Sequence, residues 1–221
     1  MTNEELNALL VRVPLLTSRY MGGYERHVQS LRASAARFAG LAGTLVRRMS
    51  GWWSDLDRTE QVWAATTRER PDASRFVPDL SQMHGEASKP RYAFWTSTHV
   101  RPHTSPWLEW PEGQFDGPPA LWRMKVTDGA RIAEIHSPRD WSDLCLRHPA
   151  GSAVRLDPDW RHVARDWDAV HLSTGGWLTA EDLPYQVDGG ITELRGWNME
   201  STVWLRWCFT GAEPLAGVAA P

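Results

Sequence analysis

Gly196-Trp197-Asn198-Met199-Glu200-Ser201-Thr202-Val203-Trp204-Leu205-Arg206-Trp207 sets one carboxylate at the mouth of a run that reads as a buried strand. Val203, Leu205 and Trp207 alternate with Thr202, Trp204 and Arg206, the period of two that a pleated strand imposes. A carboxylate at that point is held by rigid backbone and partly desolvated. Desolvation raises the free energy of the charged form, which makes Glu200 a candidate functional group. A plain surface glutamate at a strand end is the competing reading.

A second stretch adds weight to Glu200. In Lys89-Pro90-Arg91-Tyr92-Ala93-Phe94-Trp95-Thr96-Ser97-Thr98, Pro90 ends what precedes it and aromatic residues lead a predicted strand into three hydroxyls. Alternation puts Thr96 and Thr98 on one face and Ser97 on the other. A serine pointing into a cleft can hold a carboxylate from a neighbouring strand. Alone, Thr-Ser-Thr is common; with a strand-mouth glutamate about a hundred residues later it gains meaning.

Composition bounds the rest. The 221 residues suffice for one good-sized core, and the balance of 42% hydrophobic to 23% charged residues is that of a globular chain. A formal net charge of -3 provides no broad attraction to nucleic acid. The 14 tryptophans must largely fill a core or line clefts, because exposed indoles make adhesive patches. Cys145 and Cys208 lack the spacing of a zinc site and read as core thiols, so a reducing, cytoplasmic setting is expected. No secretory leader or membrane-length apolar run is seen, and delivery by a leaderless route stays open.

Along the chain, Leu9 to Val13 reads as a strand carrying Arg12, although Leu6 to Leu10 also suits the start of a helix. Tyr24, Val28, Leu31, Ala35, Phe38, Ala42, Leu45, Met49, Trp52 and Leu56 form a heptad stripe, so residues 22–70 are expected to be a helical region, with Asp57 to Arg70 continuing it. Leu121 to Val126 and Arg131 to His136, joined by Asp128-Gly129, read as a hairpin. Ser137 or Asp140 caps a predicted helix through Leu146; Trp160 to Trp167 reads as a helix and Asp168 to Leu172 as a strand. Residues 174–196 read as a loop region and 211–221 as a flexible tail of a single domain.

Taken in order, these motifs resemble the ADP-ribosyltransferase superfamily, in its toxin-like branch with an Arg, a Ser-Thr-Ser-type strand and a catalytic Glu. The resemblance covers roughly residues 80–210. It rests on Lys89-Pro90 followed by Phe94 to Thr98, on Asp166-Trp167-Asp168-Ala169-Val170-His171-Leu172, and on Trp197 to Thr202. It implies an α+β fold, a split β-sandwich that clamps NAD. It implies a mono-ADP-ribosyltransferase that cleaves the nicotinamide glycosidic bond and passes ADP-ribose to a macromolecular acceptor, protein or nucleic acid. Glu200 then matches the catalytic Glu that stabilises the oxocarbenium ion, and Ser97 the serine that orients it. Trp95, Thr96 and Thr98 match positions lining the NAD site. Arg12 is the candidate phosphate-binding arginine, with Arg19 and Arg91 as competitors. Two residues before Glu200, where many members carry Glu or Gln, stands Asn198, which can hydrogen-bond an acceptor but cannot act as a base. Tyr185 and Trp197 fall in the family's acceptor-recognition segment, where they either stack on an acceptor or plug the segment onto the core.

Other signals point elsewhere or nowhere. His99 and His103 have a metal-ligand spacing, but Pro102 between them argues against a helix and no third ligand stands out, so no metal is expected. His171 reads as a satisfied core or edge histidine. Glu109 and Glu112 carry no recognisable glycosidase signature. Two alternatives share the same residues: an NAD glycohydrolase with water as acceptor, and a non-catalytic, Trp-rich binding or assembly module whose heptad helix is the partner surface. Oligomeric state is left open, and no membrane partner is expected.

Overall fold

A computed structural model describes residues 58–65, 69–82, 88–99, 119–151, 155–181, 183–197 and 200–215. The expected first strand with Arg12, the competitor Arg19, the heptad stripe, His103, Glu109, Glu112 and Asn198 lie outside the described residues.

The structure is mixed α+β, built on one seven-stranded sheet. Its strands are β1 (Glu60–Ala65), β4 (Phe94–Thr98), β5 (Ala120–Val126), β6 (Ile132–Ile135), β9 (Ala169–Leu172), β12 (Ser201–Trp204) and β13 (Phe209–Pro214), in the order β13-β5-β1-β4-β12-β9-β6. Three two-stranded ribbons flank it: β2 (Asp79–Gln82) with β3 (Pro90–Tyr92), β7 (Pro149–Gly151) with β8 (Leu156–Pro158), and β10 (Tyr185–Val187) with β11 (Gly190–Thr192). Strand β4 is shared. Its later residues Ser97 and Thr98 pair with β1, and its earlier residues Phe94, Trp95 and Thr96 pair with β12.

Three helices have local causes. Helix α1 (Pro138–Arg147) starts at Ser137, whose hydroxyl accepts from the Asp140 N–H, with Pro138 in the first turn. Helix α2 (Trp160–Asp166) is capped by Asp159, which accepts from the Arg161 and His162 N–H groups. Helix α3 (Thr174–Ala180) is capped by Ser173, and both the Ser173 N–H and its hydroxyl donate to the Ile135 carbonyl. Gly176 is required there. A Cβ at that position would stand 2.0 Å from the Ile135 oxygen, so only glycine lets α3 lie this close to the end of β6.

Each face of the sheet buries its own core. Against one face, helices bring Trp141, Leu144, Cys145, Trp160, Val163 and Trp177 to Val170, Val203 and Ile135. The other holds Met124, Trp122, Trp204 and Phe209 with Trp63, Phe94 and Trp207 against them. Phe94 lies 5.1 Å from Trp63, 5.3 Å from Trp207 and 5.5 Å from Phe209 between ring centres, the spacing of tilted and edge-on aromatic contacts.

Several expectations are corrected. The helical region does not run through 60–65: this segment is β1, an inner strand, with Gln61 and Val62 buried. The strands around Asp128-Gly129 exist, and Gly129 takes the positive φ of a turn, but they do not form a hairpin. Strand β5 pairs with β1 and β13, whereas β6 runs parallel to β9. Strand β12 ends at Trp204, and all four of its residues are buried because both faces of the sheet are covered, so the alternation to Trp207 does not continue. Residues 174–196 contain α3 and the β10–β11 ribbon. Chain 211–214 is the end of edge strand β13, where Pro214 is tolerated, not tail.

Candidate functional site

Register builds the site. On the face that carries Phe94, paired residues line up in rungs across β4, β12, β9 and β6. The first rung is Phe94, Trp204, Ala169 and Ile132; the second is Thr96, Thr202, His171 and Glu134. Continuing β4 and β12 by two residues brings Thr98 and Glu200 level, one step beyond the second rung. Glu200 is 2% exposed.

Its carboxylate is surrounded by donors. Ser97 Oγ donates to Oε2 at 2.7 Å, and Thr98 Oγ1 donates to Oε1 at 2.7 Å. The Thr98 N–H is shared between both oxygens at 3.2 Å. His171 Nε2 lies 2.8 Å from Oε1. The ring's other nitrogen, Nδ1, lies 2.7 Å from Glu134 Oε2. Glu134 pairs in turn with the Arg58 guanidinium, and His136 Nε2 stands 3.8 Å from the same carboxylate. Arg58 stands two residues ahead of β1, which is four strands from β6 in the sheet order. Glu134 also borders an open pocket of about 200 Å³ with Asp140, Asp143, Arg147 and Trp167.

Burial alone would raise the Glu200 carboxyl. The hydrogen bond and charge of His171, with the Ser97 and Thr98 hydroxyls, outweigh it and hold the group below the usual glutamate range. Burial and the Arg58 charge push His171 toward its neutral form, against the pull of Glu200. The two contacts at the ring nitrogens decide the count of protons: each hydrogen bond needs one, so the Glu134–His171–Glu200 row holds two. Glu134 is neutralised by Arg58, and Glu200 has three further donor contacts from Ser97 and Thr98. Glu200 is therefore assigned as the ionised acceptor, with His171 donating to it through Nε2–H.

The structure brings Ser97, Thr98 and Glu200 together, but not in the expected division of labour. Thr98, expected on the NAD site, donates its hydroxyl and N–H to Glu200, because the register sets it level with that residue. Ser97 reaches the same carboxylate from the opposite side of the strand end. Thr96 does not line the site. It is fully buried, donates to Gln61 Oε1 and accepts from Trp204 Nε1, each at 2.7 Å. Trp95 sits on the helix-covered face, 4.9 Å from Trp197 edge-on, with Lys89 Nζ 4.8 Å from its ring centre. Trp197, placed in the acceptor-recognition segment and left between stacking on an acceptor and plugging the core, is the plug: it is 2% exposed, donates to the Ser88 carbonyl and touches Trp95, Trp141 and Trp160. Tyr185 is exposed on β10. Arg91 is exposed beside Asp79.

Sequence reading missed Arg58 and Glu134, and it gave His171 no active part. His171 is buried with both nitrogens engaged, as a satisfied core histidine would be, but its partners are 37 and 29 residues away. The available signal was His171 inside Ala-Val-His-Leu, an ionisable ring in a four-residue strand buried throughout. Arg58 is the described cation that joins the row, and burial lowers its own pKa. Among the described residues no group of His, Cys, Asp and Glu is arranged to hold a metal ion, and no helix is long and apolar enough to cross a membrane. Comparison with protein-family models, curated proteins and solved structures finds no match to this chain.

Proposed function

We propose that this protein cleaves the nicotinamide glycosidic bond of NAD and transfers ADP-ribose to a macromolecular acceptor, with Glu200 as the catalytic carboxylate. The observation that carries the reading is the Glu200 carboxylate, buried at a strand mouth and fixed there by hydrogen bonds from Ser97 and Thr98. In this reaction the C1′–N bond breaks and its electron pair leaves with the nicotinamide ring, which loses its positive charge. Positive charge develops on the ribose, and a carboxylate already ionised and oriented stabilises it without reorganising. The acceptor atom then bonds to C1′ and gives up its proton. Water in that place makes the same site an NAD glycohydrolase. Ser97 and Thr98 aim the carboxylate in either case.

The test is nicotinamide release from NAD by the parent protein and by Glu200→Gln, which keeps the shape and removes the charge. A loss of roughly a hundredfold to a thousandfold is expected, the scale for one transition-state electrostatic partner. Equal rates in the two proteins would remove Glu200 from the chemistry. A second reading has its own observation. Glu200 is 2% exposed and each oxygen already accepts from protein donors, as in a buried polar clamp of a binding or assembly module. Absence of nicotinamide release, with no change in tryptophan fluorescence on adding NAD, selects that reading.

A further inference from the structure

We infer that His171 is a positioning residue for Glu200: clamped between Glu134 and Glu200, it keeps the Glu200 carboxylate ionised and aimed, and so sets the acid limit of the site's activity. The inference rests on the NAD reading for its kinetic consequence and on geometry alone for the rest. The imidazole is fully buried and bridges two carboxylates at 2.7 and 2.8 Å, each contact using a different ring nitrogen. Such a ring cannot turn without losing both hydrogen bonds. A carboxylate as buried as Glu200 would take up a proton readily if this partner were removed.

The groups facing the row come from every neighbouring element. Arg58 approaches ahead of β1, Ser97 and Thr98 from β4, and Glu134 and His136 from β6. Asp140 of α1 acts on His136, which is itself pushed down by burial first and then by Arg58 and His171. Ser97 and Thr98 donate to Glu200 at any working pH. Of the titratable groups in the row, His171 is the one in direct contact with Glu200, and Glu134 holds its other ring nitrogen. Glu134 is the partly exposed end of the row and Arg58 its counter-ion.

The experiment compares the parent with His171→Gln and Glu134→Gln. Glutamate labelled with carbon-13 at the carboxyl is followed by NMR titration, and Glu200→Gln assigns the Glu200 signal. In the parent, the Glu200 midpoint lies below the ordinary glutamate range. His171→Gln, which can still donate one hydrogen bond but cannot carry charge, raises it by about 1–3 pH units. Glu134→Gln raises it by less, because the imidazole loses its counter-charge but keeps a hydrogen-bond acceptor. The acid limb of nicotinamide release moves by the same amounts. An unmoved Glu200 midpoint in His171→Gln overturns the inference. If that variant does not fold, an unmoved midpoint in Glu134→Gln does the same. Moved midpoints in a parent that releases no nicotinamide would end the NAD reading and leave the positioning role standing.

Discussion

Two rungs of the same sheet face, one residue pair apart, have opposite chemistry. Phe94, Trp204, Ala169 and Ile132 form a rung that is apolar throughout. Two residues further along each strand stand Thr96, Thr202, His171 and Glu134, with Thr98 and Glu200 just beyond. The first rung is stabilised by area removed from water and by ring contacts, with Trp204 4.6 Å from Phe209. The second holds an imidazole tolerable inside because it bridges two carboxylates, and a Thr96 hydroxyl bonded to Gln61 and Trp204. The difference teaches where stability and chemistry separate in this chain. Rigid apolar strands fix the backbone, and the same strands run on a few ångströms to present an ionised group that would not remain ionised without its partners.

The largest expected effect tests the apolar rung. Trp204→Ala removes a fully buried indole and is expected to cost about 3–5 kcal/mol in urea denaturation. It also strips Thr96 of the N–H that its oxygen accepts. A loss under 1 kcal/mol would mean that the rung contributes little to the fold and that the contrast between the rungs is misplaced.

The middle of the comparison is Thr96, which belongs to the polar rung by position and to the apolar rung by partners. Thr96→Val keeps the shape and deletes a hydroxyl that joins Gln61 to Trp204. Two buried groups then lack a partner, and the expected loss is about 1–3 kcal/mol. Nicotinamide release by the folded protein should stay at the parent level, because Thr96 touches neither Glu200 nor His171. A large fall in that rate with unchanged stability would return Thr96 to the site.

How much of this was legible follows from how local each feature is. The hydroxyl triplet and Glu200 lie in short stretches whose neighbours are aromatic or β-branched, and their contrast with those neighbours is visible one residue at a time. The caps of α1 and the start of α2 are equally local, and both were readable. Strand β1 was not. Glu60-Gln61-Val62-Trp63-Ala64-Ala65 mixes helix-favouring residues with one β-branched residue and follows a heptad stripe. What makes it a strand is pairing with β4 and β5, together with a buried Gln61 whose acceptor is used by Thr96, 35 residues away. The choice for Trp197 between an acceptor and the core, and the partners of the core histidine His171, were not legible for a related reason. Whether an indole meets a ligand or three other indoles, and whether an imidazole meets water or two carboxylates, is set by contacts distant in sequence. Asp128-Gly129 was correctly a turn, but a turn does not oblige its flanking strands to pair with each other.

The smallest effect gives the sharpest comparison, because Thr202 is the cross-strand partner of Thr96 in the same rung. Both threonines are buried, but the Thr202 hydroxyl has no hydrogen-bond partner among the described residues, whereas the Thr96 hydroxyl has two. An unpartnered buried hydroxyl costs desolvation and returns nothing, so Thr202→Val should leave stability unchanged or raise it by up to about 1 kcal/mol. The same chemical change at two facing positions is thus expected to differ in sign or nearly so, measured by urea denaturation under identical conditions. A loss at Thr202 as large as that at Thr96 would show that the Thr202 hydroxyl is bonded after all.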